Sequence, residues 1–420
     1  MRGFFNIYKL KNTGKLYSLL YNRNFRFLWL ANGLWWQAMW IEMIIVGWLT
    51  LEITNSAWSV SVAGFFRAIP LMIIGPIGPL IIQRYEKRKI LWVLQGAGAL
   101  SSIALTLIHL KFGLDYITIL IYCLIMGILW AVDWPTRRSI LPDIIGNHRV
   151  VDGLLLENIL QSLTRVVGPV GGGYSLALVG IPGSLVTLSV VSVSSLLCLL
   201  HIGNISVGYQ SKVKLTEIIN EFIKGCVFVS NHASILGVFF ITLVMNVWAF
   251  PFQILLPVIA RDVLNQGPIG LGVLVAANGI GVTIGLWVIN QFKDEFSNEL
   301  LFVVGSFIVC VGLFMFSLTC DMLSALFCLF IAGIGQAGFS VLQSSIILTT
   351  TPDAMRARAM GVIVFAIGIG PLGRLQSGVT AEAFGSQMAV GSMALLAAVG
   401  VIAAAALIGG FLNLRRVDQK

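Results

Sequence analysis

Residues 234–259 read SILGVFFITLVMNVWAFPFQILLPVI and contain no charged side chain. A helix needs about 20 apolar residues to cross the ~30 Å hydrocarbon core of a bilayer. A helix of that length on the surface of a soluble protein would carry a polar face, and this stretch has none. It is expected to span a membrane. Working outward, comparable runs lie near 27–50, 58–82, 90–110, 116–134, 154–179 and 183–202 on one side, and near 269–291, 300–319, 323–347, 361–382 and 387–410 on the other. They are too long, and too free of two-residue alternation, to be strands of a closed barrel. The expected fold class is an all-α membrane protein with twelve transmembrane helices.

Composition agrees. Of 420 residues, 57% are hydrophobic and 11% charged, with a mean hydropathy of +0.92. Soluble domains carry roughly 25% charged residues, so the medium for most of this chain is lipid. The net charge of +9 does not point to nucleic acid, because the basic residues sit between apolar runs and not on one face of a domain. Twenty-two of the 27 Lys and Arg fall in the N-terminal segment, the even-to-odd connections and the C-terminal tail; Lys111 and Arg261 alone lie on the opposite side. By the positive-inside rule this predicts a multi-pass plasma-membrane protein, in a bacterium the inner membrane, with both termini cytoplasmic. The expected parts are a cytoplasmic segment over 1–26, a six-helix bundle over 27–202, a cytoplasmic linker over 203–233, a second six-helix bundle over 234–410 and a tail over 411–420. Within the linker, LTEIINEFIKGCVFV (215–229) has the spacing of an amphipathic helix.

Several chemistries are not expected. The six cysteines form no C-x-x-C pair and the four histidines form no cluster, so neither a disulfide framework nor a metal site is predicted. No G-x-x-x-x-G-K-[ST] loop is present, which argues against ATP hydrolysis by this chain. An intramembrane enzyme would need a nucleophile with its base, or a metal cluster, and neither stands out. No catalytic residue and no cofactor are assigned.

The two halves look related. Pro142-Asp143 after the fourth span matches Pro352-Asp353 after the tenth, and Asn55 after the first matches Asn265 after the seventh, both 210 residues on. Gly168-Pro169-Val170-Gly171 in the fifth span pairs with Gly370-Pro371-Leu372-Gly373 in the eleventh. Two six-helix repeats in the same orientation are the pattern of one large transporter class.

The motifs resemble that class, the major facilitator superfamily. After the second span comes Gln83-Arg84-Tyr85-Glu86-Lys87-Arg88-Lys89, which looks like the superfamily's cytoplasmic gate motif. There an acidic-Arg pair and a basic cluster latch the two halves at the inner face. Here the acidic position is Gln83 and Pro79 stands where the motif has a small residue, so either the latch is weakened or Glu86 substitutes; a solvated basic loop is the other reading. The fifth span, Arg165 to Gly173, resembles the G-P-x-x-G-G signature of the superfamily's exporters. Gly168, Gly172 and Gly173 allow close helix approach, and Pro169, like Pro371 after Gly370, removes a backbone bond and permits a kink. FRFLW (25–29), LPDIIG (141–146), LLPVIARDVLNQGPIGLGVLVAANGIG (255–281), TPDAMRARAMGV (351–362) and GIGPLGRLQSGVTAEAFG (368–385) look like the branch that includes the enterobactin exporter and macrolide-efflux-like proteins. The resemblance implies two pseudo-symmetric bundles and proton-driven export of a mid-sized amphipathic compound such as a siderophore or drug. The partners expected are membrane lipids, protons and a small-molecule substrate, with no nucleic acid and a monomeric chain. An importer or a lipid flippase on the same fold is the alternative.

Charges inside spans are costly and usually pair or face a cavity. Glu42 in the first span and Arg67 in the second lie at similar depths, roughly 12–14 Å from the same membrane face at 1.5 Å per residue, so an ion pair is available. Glu42 is then the best proton-coupling candidate, or the pair is structural. Arg165 and Arg374 occupy comparable mid-membrane depths in the repeat-related fifth and eleventh spans. Facing a central cavity they would suit an anionic substrate; donating to carbonyls near the glycines they would be structural. Asp133 has two available partners, Arg137 one turn on and Arg165 across helices. Trp36 and Trp40, four apart on one helical face, offer an aromatic substrate a stacking surface, or pack against neighbouring helices.

Overall fold

The computed structural model describes residues 18–75, 85–203 and 215–407. Among them, eleven continuous helical runs are long and apolar enough to cross a membrane. One run, Val150–Leu200, is two spans meeting at Gly180, whose φ of 67° and ψ of −174° lie outside the helical region. The spans are α1 (Arg23–Thr54), α2 (Ala57–Ile74), α3 (Lys87–Phe112), α4 (Tyr116–Ile145), α5 (150–179) and α6 (181–200), then α8 (Ala233–Val263), α9 (Pro268–Phe292), α10 (Asn298–Ser317), α11 (Met322–Thr350), α12 (Arg358–Phe384) and α13 (Ser386–Leu407). Between the halves runs α7 (Leu215–Ser230). No strand occurs among the described residues. A helix satisfies its backbone internally, which is what the hydrocarbon demands.

The helix ends are specified locally. Asn22, Ser56, Asp115, Ser297 and Asp321 each accept a hydrogen bond at the start of a helix from the N–H three residues on, satisfying a donor the helix leaves open. Asn55 and Asn265, the pair matched across the repeat, are the two non-glycine residues with positive φ among the described residues, at 47° and 51°. Asparagine tolerates that left-handed turn better than most side chains. The repeat is thus visible in backbone conformation as well as in sequence.

Three features differ from the sequence reading. The fourth span does not end at 134 but continues as helix to Ile145, so Arg137 is inside it and only 4% exposed. Arg137-Arg138 reads as an exit from lipid; Arg138 is exposed, but Arg137 stays buried because partners on other helices meet it. The repeat-related Gly-Pro pairs also diverge: α5 runs on through Pro169, whereas α12 breaks into Asp353–Gly368 and Gly370–Phe384. Finally, α8 widens into two stretches with an extra residue per turn, Met245–Ala249 and Ile259–Val263, flanking Pro251 and Pro257.

α1 to α6 form one bundle and α8 to α13 the other. The end of the molecule carrying Arg23, Ile145 and Leu200 is called proximal here, and the end carrying Asn55 and Asn265 distal. Towards the distal end the bundles interlock. A Cβ on Gly173 of α5 would lie 2.5 Å from the Pro268 carbonyl oxygen, and one on Gly272 of α9 would lie 2.4 Å from that of Pro169. Such contact suits helices that associate through small residues. Beside it, Glu382 of α12 accepts from the Ser56 hydroxyl and the Trp58 N–H, and Arg261 of α8 donates to the Leu51 carbonyl and the Asn55 side chain. Leu51, Val60 and Val258 close over one another beneath these bonds.

At the proximal end α7 lies against α12, with Phe222 edge-on to Phe365 and Glu221 paired with Arg358. Hydrogen bonds from Lys224 and Arg358 hold the exposed Glu221 carboxyl below its ordinary range. A group whose pKa is depressed in the docked state contributes stability above its free pKa, near 4.3, and loses it as pH falls through the docked value. Amide protection across 215–230, taken relative to the intrinsic exchange rate at each pH, should therefore fall below about pH 4.3, and Glu221→Gln should show the lower protection already at neutral pH.

Candidate functional site

Intramembrane charge is concentrated in the first bundle, between α1, α2, α3, α4 and α6. Arg67 donates from Nε to Glu42 Oε1 at 3.0 Å and from Nη2 to Oε2 at 3.4 Å, a two-pronged pair that uses both carboxylate oxygens. Glu42 is 4% exposed. The Arg67 guanidinium also stands 5.9 Å from the Trp130 ring centroid. The hairpin of α1 and α2 brings the pair together: one helix rises and the next descends, so residues equally far from the turn meet.

A second network lies nearer the proximal end. Arg137 spends its three nitrogens on three acceptors: Asp133 Oδ2 at 2.5 Å, Asn32 Oδ1 at 2.6 Å and Gln95 Oε1 at 2.6 Å. Its face covers Trp35, 4.9 Å from the ring centroid. Asn32 in turn donates to Glu157 of α5 at 2.6 Å. Asp133 is thereby resolved onto Arg137 of its own helix and not onto Arg165. The networks meet at a small cavity lined by Glu42, Arg67, Gln95, Trp130 and Asp133. Asp133 Oδ1 and Trp130 Nε1 are buried there without a hydrogen-bond partner among the described residues.

Arg165 and Arg374 sit elsewhere, in the seam between bundles. Arg165 lies over the Trp40 ring at 5.6 Å, with its side chain against the site of a missing Cβ on Gly279 of α9. Arg374 donates to the Gly64 carbonyl of α2 at 2.7 Å. Neither has a carboxylate partner within salt-bridge distance among the described residues. Neither lines the charged cavity.

Trp36 and Trp40 make different contacts. Trp40 is 8% exposed and packs against Gly168, where a Cβ would come within 2.5 Å of its own Cβ. Trp36 is instead edge-on to Trp35, with centroids 4.9 Å apart. Gly172 and Gly173 face α1 and α9, and Gly370 faces Asn246 of α8; Pro371 sits at the start of the second part of α12.

Of the gate loop, Gln83 and Arg84 lie outside the described residues. Glu86 bonds Arg88 and Lys89 of its own segment, each at 3.1 Å; the Lys89 bond is the main reason its carboxyl stays below the ordinary range. Lys87 reaches the Ser139 carbonyl and Asp143 of α4 at 2.8 and 2.7 Å. Arg88 covers Trp92 at 4.5 Å. These contacts tie the loop to its own bundle.

Sequence reading passed over Asn32, Gln95 and Glu157, and named Arg137 only as a partner for Asp133. The isolated amides and Glu157 carried the usual signal of a polar side chain inside a span. The burial of Arg137 was hidden by the helix boundary. Glu382 and Arg261, the distal fasteners, are surface charges with no sequence signature.

The family described as transmembrane secretion effector matches residues 15–420. Among curated proteins, the staphyloferrin A transporter of Staphylococcus aureus is 22% identical over 82% of this chain and 86% of its own. The macrolide efflux protein A of Streptococcus pyogenes is 22% identical over 65% of this chain and 67% of its own. Among solved structures, a POT family transporter in complex with 5-aminolevulinic acid superposes with a TM-score of 0.75 at 11% identity, covering 91% of this chain and 95% of that one.

Proposed function

Since the chain belongs to the transmembrane secretion effector family of major facilitator transporters, we propose that it exports a mid-sized amphipathic compound, siderophore-like or drug-like, from the cytoplasm by alternating access driven by protons. The proximal end is the cytoplasmic one in a bacterial inner membrane, and the chain works as a monomer. Residues 27–202 and 234–410 move as the two bundles, with 203–233 as the linker. The substrate binds in the seam between them, and buried carboxylates of the first bundle, Glu42 or Asp133, take up the proton.

The observation that carries this reading is the pair of seam guanidiniums. Arg165 and Arg374 come from repeat-related helices of opposite bundles and have no salt-bridge partner among the described residues. A cation held without a carboxylate in an apolar setting is costly; an anionic or carboxylate-bearing substrate would offset that cost during part of the cycle. The clasped distal end fits a protein closed on that side.

Cells expressing the chain should retain less radiolabelled erythromycin, or release more enterobactin into the medium, than cells lacking it, and a protonophore should abolish the difference. Greater accumulation of either probe would sink export in favour of uptake. Arg165→Gln with Arg374→Gln should raise the apparent KM for an anionic probe at least about tenfold, the loss expected when one or two charge-assisted hydrogen bonds disappear. An unchanged KM would remove both arginines from the substrate site.

A further inference from the structure

The two carboxylates of the first bundle are not equivalent. Both oxygens of Glu42 are engaged by Arg67, whose guanidinium has no other hydrogen-bond acceptor among the described residues. Asp133 uses one oxygen. Its Oδ1 is buried, unpartnered among the described residues and belongs to a residue lining the cavity. Its cation has other support: Arg137 keeps Asn32, Gln95 and the face of Trp35 when the aspartate becomes neutral. Neutralising Asp133 leaves Arg137 two amide acceptors and the face of Trp35, whereas neutralising Glu42 leaves Arg67 only the face of Trp130.

A polar line leads away from this cavity through the bundle interior. On α3, Gln95, Gly98, Ser102, Thr106 and His109 follow three- and four-residue spacing, which puts them on one helical face. They extend about 20 Å towards the distal end at 1.5 Å per residue. Thr106 and the Ser189 hydroxyl of α6 are 3.0 Å apart, and Ser102 and the Tyr122 hydroxyl of α4 are 3.4 Å apart. Ser102, Thr106 and Ser189 are 1%, 6% and 8% exposed, among Leu105, Ile119, Leu185 and Leu188 of an otherwise apolar core. At the distal end of the line, His109 Nδ1 is buried and unpartnered among the described residues. Ser102 and Thr106 rest donating to the Gly98 and Ser102 carbonyls; each hydroxyl both donates and accepts, so by rotating it can hand on a proton that a carbonyl or a methyl group cannot.

We propose that the coupling proton binds Asp133 and not Glu42, and that it travels inside the first bundle from His109 along the α3 hydroxyl line, apart from the substrate's path in the seam. The inference rests on the proton-driven reading above. An O–H bond forms at Asp133 Oδ1, Arg137 keeps its charge, and the cavity gains one positive charge that is given up at the proximal face. The charged and titratable groups around the site are Glu42 from α1, Arg67 from α2, Tyr122, Cys123, Arg137 and Arg138 from α4, and Glu157 from α5, which is joined to Arg137 through Asn32. α3 and α6 contribute uncharged groups to the cavity.

The test is infrared difference spectroscopy of the full-length protein through a pH titration. A neutral-carboxyl stretching band should rise as pH falls, disappear in Asp133→Asn and persist in Glu42→Gln. In vesicles with the distal face outward, Thr106→Val combined with Ser189→Ala should slow the band's rise after an external pH jump at least tenfold without moving its midpoint. A band lost in Glu42→Gln but kept in Asp133→Asn overturns the assignment, as does a titration shifted by Na⁺ at fixed pH. An unslowed path variant overturns the route. Should Asp133→Asn fail to fold, the Glu42→Gln spectrum and the path variant still decide. The readout needs no transported compound: absent export with an intact Asp133 band sinks the exporter reading alone, and confirmed export without the band sinks this one alone.

Discussion

Gly272→Leu is expected to abolish transport while leaving the amount of inserted protein unchanged. A Cβ at 272 would meet the Pro169 carbonyl oxygen at 2.4 Å, its carbon at 3.0 Å and Val170 Cα at 3.3 Å. All three are backbone atoms of a helix and cannot swing aside as a side-chain tip does. Overpacking a well-filled contact costs about 1–3 kcal/mol, and here the cheapest relief is for α5 and α9 to part. That separates the bundles where Glu382 and Arg261 join them, so the distal-closed form becomes scarce. Two measurements check it. Export of erythromycin or enterobactin should fall more than about tenfold, since 1.4 kcal/mol of bias already shifts a two-state population that far. A cysteine at Ser61, fully buried in the parent and set against Gly378 of α12, should become reactive to a membrane-impermeant maleimide. Gly96→Leu is the control, because a Cβ there meets nothing within 4 Å. Full activity with an unreactive Ser61→Cys would refute the account.

Arg137→Met should destabilise the protein by about 3–5 kcal/mol, the usual loss when one member of a buried ion pair is removed and the other stays charged. The side chain joins α4 to α1 and α3, so its removal strands an aspartate and two amides together. Arg137→Lys should recover little. A single ammonium cannot reproduce a planar fork that directs three nitrogens to three acceptors while lying flat on Trp35. The combination Arg137→Met with Asp133→Asn should be more stable than Arg137→Met alone, because the uncompensated charge is gone. Thermal aggregation in detergent reads all three, and equal midpoints for Arg137→Lys and the parent would show the fork to be unimportant.

Physics explains which parts of this molecule could be read from its sequence. Spans were legible because lipid applies one requirement to a continuous stretch of chain, and residues 234–259 meet it without reference to any other residue. The Glu42–Arg67 pair was legible because a hairpin converts equal distance from a turn into contact. The burial of Arg137 was not: it depends on Asn32 and Gln95, each far away in sequence and on a different helix, and without them the residue looks like the end of a span. Arg165 and Arg374 were found as intramembrane charges, but not their place in the seam, since periodicity does not fix how a helix rotates against a neighbouring bundle. Whether Trp40 packs or faces a substrate stayed open in the sequence for the same reason. Helical spacing put it on a face with Trp36, while the bare backbone of Gly168 drew it into the core.

The junction at Gly180 makes α5 and α6 one continuous hairpin with no slack between them, and α5 passes Pro169 unbroken. In the other half, α8 carries two widened turns and α12 is interrupted at Ile369. The halves share a topology and differ in compliance. The stiffer one keeps its charges at fixed spacing whatever its partner does, as a store of charge must; bending strain will collect in the softer one, where hinge-like substitutions should alter turnover without touching ionisation.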